Sequence, residues 1–223
     1  MTEHVLHLRT IENNDWATLL FVLSFGTIAF TKSIFENRFG DFANLIFSDK
    51  YIKIYRDSSH LKSGFTISLF FVQVISFAFF IQLSLSYFGK ALKTDWILYI
   101  QIFTFLIFFI LSKYLIEKII ATAFDIEEFV EQFNLQKVTY RTYIGLFILP
   151  INIILFYYDS LSKNMILAFI AIVIAANVIS YLISIKNYQN LILGKLFYFI
   201  LYLCTLEIAP YYFMYYWFTK GSA

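Results

Sequence analysis

The chain has 223 residues, of which 60% are hydrophobic and 22% aromatic while only 14% are charged, against roughly 45–50% apolar and 25% charged in a soluble domain. No core that a chain of this length can close would hide so much apolar surface, so lipid must solvate much of it and a soluble fold is excluded. A net charge of +2 is too small to suggest nucleic acid as a partner, and seven glycines and two prolines leave no room for long linkers.

Residues 1–15 show neither a basic n-region nor a small-residue cleavage site, so the apolar segment after them is expected to stay as an anchor. A crossing needs about 20 mostly apolar residues, and the gaps between charged residues supply six candidates: 16–31, 63–89, 96–112, 142–158, 164–185 and 196–218. These stretches are apolar on every face, unlike the alternating segments of an outer-membrane barrel. The expected fold is therefore all-α, a polytopic bundle of six transmembrane helices forming one domain over 1–220, with 221–223 read as a linker or tag remnant. No internal repeat of the kind found in inverted-repeat transporters is evident.

In the first long connection, Phe35, Phe39, Phe42 and Ile46 recur at helical spacing beside Lys32 and Arg38. That pattern predicts an amphipathic helix lying flat in the interface, with the basic residues meeting anionic head groups. Ser48 and Asp49 can cap a short helix in which Tyr51 and Tyr55 fall one turn apart. The third span is expected to run on as a protruding helix, since Leu115, Ile119, Ala123, Ile126, Phe129 or Val130, and Phe133 keep helical spacing while Glu117, Asp125, Glu127, Glu128 and Glu131 crowd the remaining face. These acids lack the glycine turn and alternating oxygen ligands of a cation loop, and a solvated face or partner surface explains them better.

Six spans put both termini on one side. Twelve of the seventeen Lys and Arg residues then fall on the other side, which the excess of positive charge marks as cytoplasmic, leaving both termini periplasmic.

Chemistry-bearing patterns are sparse. His4 and His7 are one turn apart but have no further ligand at metal spacing, His60 has no acid or nucleophile beside it, and the single Cys204 sits in an apolar run. No phosphate loop, nucleophile elbow, zincin helix or Cys-X-X-Cys motif occurs, so no catalytic residue, metal or cofactor is expected. Glu207 stands apart. It is the middle residue of 196–218, where an ionised acid costs at least ~2.5 kcal/mol, and no Lys, Arg or His lies inside another span to offset it. Desolvation should keep it protonated, a hydrogen-bond donor as well as an acceptor. Pro210 opens the helix beside it by leaving the Leu206 carbonyl unpaired, Cys204 and Tyr211 share its face, and Gln73, Asn152 and Asn177 are the mid-span polar groups at suitable depth. Two readings stay open: a neutral clamp between helices, or a proton- or cation-coupling site. The aromatic run from Tyr211 to Trp217 reads as an interfacial belt.

The segments Arg9-Thr-Ile-Glu-Asn-Asn-Asp-Trp16, Phe47-Ser-Asp-Lys-Tyr51 and Leu203-Cys-Thr-Leu-Glu207-Ile-Ala-Pro210 resemble those of a family of bacterial inner-membrane proteins known as a domain of unknown function. The resemblance implies a multi-spanning protein of a two-membrane bacterium, and it marks Arg9, Trp16, Glu207 and Pro210 as positions to test. The functional expectation is a non-enzymatic accessory or scaffold subunit of an inner-membrane assembly, serving envelope biogenesis or protein export. Its partners would be membrane lipids and other inner-membrane proteins, and its contact surfaces the helical elements around Phe35 to Tyr55 and Glu127 to Glu131. The alternative is a small transporter coupled through Glu207; a lipid-modifying enzyme with Glu207 as a lone acid ranks third.

Overall fold

A computed structural model describes residues 14–46, 50–55, 63–158 and 163–187, together with Tyr212 and Tyr216. Among the described residues every regular element is helical: α1 (Asp15–Ile34), α2 (Glu36–Ala43), a 3-10 turn (Asn44–Ile46), α3 (Lys50–Ile54), α4 (Gly64–Tyr87), α5 (Trp96–Ala123), α6 (Glu127–Tyr157) and α7 (Lys163–Asn187). Five of them, α1, α4, α5, α6 and α7, are long and apolar enough to cross a membrane. They coincide with the first five expected spans; the sixth, 196–218, lies outside the described residues.

Helix ends follow from local chemistry. Ser63 caps α4, its Oγ accepting from the Thr66 amide, and Asp95 caps α5, its Oδ1 accepting from the amides of Ile97 and Leu98. At the end of α4, Gly89 takes φ +71°, the Lys90 amide donates to the Leu85 carbonyl and the Gly89 amide to Ser86, a Schellman closure that uses glycine's freedom in the left-handed region. Hydroxyls within the spans are hidden by bonding back one turn: Ser24 donates to the Leu20 carbonyl, Thr27 to Leu23 and Thr31 to Thr27.

The third span does not continue into the acidic segment. Helix α5 stops at Ala123, and Asp125 adopts φ +52° while the Ile126 amide donates to the Ala121 carbonyl and the Asp125 amide to Thr122. This is the same Schellman closure with an aspartate where glycine is usual, and Ile126 packs on Ala121 to seal it. Apolar spacing runs unbroken through the turn because residues on both sides of it feed one cluster: Ala121, Ile126, Val130 and Phe133, with Tyr181 and Ile185 of α7 against them. Glu127 opens the first turn of α6, where negative charge complements the helix dipole. The 31 residues of α6 span about 46 Å, more than the ~30 Å of a hydrocarbon core. The expected extension of the third span is therefore real as far as Ala123, eleven residues past the 96–112 stretch, but its acidic part from Asp125 onward belongs to the turn and the start of the fourth long helix.

Helix α4 is the centre of the bundle. Over its apolar window 56% of the residues are buried, against 22% in α1, 11% in α5 and 6% in α7, and it packs on α1, α5 and α6. The main core joins Ala17 and Phe21 of α1, Val72, Ile75, Ala78, Phe79 and Leu83 of α4, Tyr99 of α5, and Leu149, Leu155 and Phe156 of α6. Trp16 stacks on Phe79 with centroids 5.7 Å apart and meets Trp96 edge to face at 5.3 Å. It thus acts as a packing residue that pins the start of α1 to α4 and α5. Because lipid is as apolar as these side chains, such contacts hold the helices through close packing and dispersion rather than through escape from water.

Candidate functional site

Polar side chains inside the bundle concentrate on α4 and α6. Gln73 is fully buried and its Oε1 accepts from the Thr142 hydroxyl at 2.8 Å. One stage further along, the Asn152 amide donates to the Ser76 carbonyl at 2.7 Å, close to Pro150, whose missing N–H leaves the Leu146 carbonyl without its helical donor. The two helices come together at Gly145, where a Cβ would lie 2.9 Å from Gln73 Cγ and 3.2 Å from its Cα. Gln73 and Asn152 thus bond between helices, as their depth suggests, and do so with each other's helix. Asn177 does not: its amide donates to the Val173 carbonyl of its own turn. Glu207, Cys204, Pro210 and Tyr211 lie outside the described residues.

The connection after α1 forms a second polar centre. Arg38 is only 8% exposed. Its Nη1 donates to Ser63 Oγ at 2.8 Å, Nη2 to Thr66 Oγ1 at 3.2 Å, and both Nε and Nη2 to the Tyr51 hydroxyl at 3.3 and 3.2 Å. The guanidinium carbon lies 4.6 Å from the Phe65 ring centre and 4.8 Å from that of Tyr55, within cation–π range. Burial pushes the Tyr51 hydroxyl above its ordinary pKa, and the adjacent guanidinium partly opposes the rise. One turn of spacing does bring Tyr51 and Tyr55 together, at 4.9 Å. Lys50 pairs with Asp41 at 2.9 Å, which raises the pKa of this exposed lysine.

These contacts correct two expectations. The Phe35, Phe39 and Phe42 stripe does not lie against lipid. It closes over Phe65 and Leu69 of α4 and over Tyr140, Tyr143 and Leu146 of α6, and the Tyr143 hydroxyl ties it down by donating to the Ala43 carbonyl. Arg38 likewise points into this cluster rather than toward head groups. An apolar stripe beside a cation has the same sequence whether lipid or protein covers it, and here the adjoining ends of α4 and α6 offer enough aromatic surface to bind it.

The acidic face is corrected at one residue only, and Asp125 stands exposed as expected. Glu117 belongs to α5, is buried, and pairs with Lys137 of α6 at 3.2 Å, the two side chains being 4% and 10% exposed. Glu127 is exposed and Glu131 half-buried, but the residues that follow are covered on all sides: Gln132, Phe133, Asn134, Leu135 and Gln136 are all buried. Gln136 is fully enclosed, with no hydrogen-bond partner for its amide among the described residues. This centre was missed from sequence. Its one signal was the amide-rich run Gln132-Phe-Asn-Leu-Gln136, too polar for a span and too apolar for a loop.

The geometry therefore offers buried polar cross-links and one caged cation. Among known proteins, no curated protein matches the chain, and no solved structure does. A family model described as a domain of unknown function (DUF4271) matches residues 17–218. That match takes in the Arg38 cage, the α4–α6 polar pairs and the Glu207 segment, and the chain belongs to the DUF4271 family.

Proposed function

We propose that the protein is a non-enzymatic scaffold or accessory subunit of a bacterial inner-membrane assembly, with six spans and both termini in the periplasm. The observation that carries this reading is the setting of α7. Among the described residues it is attached mainly along α6, with only Val173 and Ser184 buried among its described side chains, while Leu167, Ile172, Ile174, Val178, Ile179 and Leu182 all stand exposed. A span held by one narrow seam gives most of its circumference to whatever surrounds it, and a helix of another membrane protein can bury that face by close packing. The described polar groups support the same reading, since Gln73 and Asn152 are engaged in holding α4 to α6.

The test is site-specific photo-crosslinking in cells from Ile172 and Ile179, followed by purification in mild detergent and mass spectrometry. A discrete partner crosslinked from α7 and recovered in fixed ratio is expected. Only lipid adducts and a lone chain would sink the scaffold. The coupling reading of Glu207 is separated by Glu207→Gln, which keeps hydrogen-bonding capacity but cannot ionise. A scaffold keeps its function with that substitution, whereas normal membrane levels with lost function would promote a coupled transporter.

A further inference from the structure

At the end of the bundle opposite the Arg38 cage, a cavity of about 460 Å³ opens between the last turns of α4 and α6, the α4–α5 turn and the first turns of α7. Its volume falls within the roughly 300–1,000 Å³ typical of small-molecule sites. The lining is graded along the helix axes. Toward the middle of the bundle it is Phe80, Leu83, Leu155 and Phe169; at the end it is Ser86, Tyr87, Lys93, Thr94 and Tyr158. Lys93 comes from the α4–α5 turn, and its ammonium is held at this level by donating to the Phe156 carbonyl at 3.1 Å. The Tyr87 hydroxyl is buried and has no hydrogen-bond partner among the described residues, a group that ordinarily finds one.

An apolar floor with a cationic, hydroxyl-bearing mouth is the complement of an amphiphile lying along the membrane normal. We propose that the cavity binds one membrane glycerophospholipid with an anionic head group: its phosphate beside Lys93, Tyr87 donating to a head-group oxygen, and the upper part of one acyl chain against Phe80, Leu83 and Phe169. The rest of the lipid stays in the bilayer. Such a lipid would bridge α4, α6 and α7.

The test uses the full chain in nanodiscs containing phosphatidylglycerol with a diazirine near the head of one acyl chain. Adducts are expected on the peptides holding residues 80–87, 155–158 and 166–169, to be competed by excess phosphatidylglycerol but not by phosphatidylcholine. Lys93→Gln should lower the site's preference for phosphatidylglycerol over phosphatidylcholine roughly fivefold, the weight of one lysine against an anionic head group. Labelling spread evenly over all the spans, or equal competition by both lipids, would overturn the site and leave only annular lipid. Adducts at these peptides that ignore Lys93→Gln would overturn the assignment of the phosphate to Lys93. The wild-type adduct map does not depend on any variant folding.

Discussion

Arg38 shows how much a single buried cation can organise. Its five N–H donors form a planar fork, and the fork reaches Tyr51 on α3 together with Ser63 and Thr66 at the start of α4. Lysine carries the charge but not the fork, so Arg38→Lys should lower the melting temperature in detergent more than Tyr51→Phe does. Hydrogen bonds to a charged group are worth about 1.5–3 kcal/mol each. Because the two residues share one network, Arg38→Met and Tyr51→Phe should be non-additive, with a coupling of roughly 0.5–3 kcal/mol. Additive losses in a double-mutant cycle would mean that the cage is only packing. The pH dependence follows from the raised Tyr51 pKa. The folded chain keeps that proton where the unfolded chain loses it, so the contribution is complete below the ordinary tyrosine value of about 10 and fades as pH rises through the folded one. The coupling should accordingly be flat between pH 6 and 9.

Between elements, α4 and α6 meet tightly at Gly145. The added methyl of Gly145→Ala would press on Gln73 at both Cγ and backbone Cα, and backbone cannot swing aside. The helices must separate, straining the bond from Thr142 to Gln73 Oε1. Overpacking of this kind costs about 1–3 kcal/mol, and the expected readout is a lower melting temperature with unchanged helix content by circular dichroism. Wild-type melting would show that the contact carries no constraint. The turn between α5 and α6 teaches a different lesson at this scale. Its closure depends on Asp125 in the left-handed region, and no glycine marks the place, so a periodic apolar pattern reads as one helix. What interrupts it is the gain from folding Ile126, Val130 and Phe133 back onto Ala121 and burying Glu117 against Lys137.

For the whole molecule, orientation is the property most open to direct test. The α2–α3 connection and the α4–α5 turn lie at opposite ends of α4, so their sidedness does not depend on whether a sixth span exists. With Cys204 replaced by serine, Lys90→Cys should react with an impermeant maleimide in intact spheroplasts, and Lys53→Cys only after lysis. The reverse pattern would invert the proposed topology and place the lipid cavity on the cytoplasmic side.

Membrane class and the positions of the five described spans were legible in the sequence because uninterrupted apolar runs of this length have no alternative solvent. The pairing of Tyr51 with Tyr55 rested on an equally local rule, while the expected cap at Ser48 and Asp49 lies outside the described residues. What covers an apolar stripe is not local. Phe35, Phe39 and Phe42 satisfy lipid and protein equally, and only the arrival of Phe65, Tyr140 and Tyr143 from distant parts of the chain chose protein. Polar depth pointed to Gln73 and Asn152 but could not name Thr142 and Ser76 as their partners, since those pairings depend on how closely Gly145 lets two helices approach. The tertiary structure decided which charges are buried, where the third long helix stops and where a cavity remains, because each depends on contacts between residues far apart in the chain.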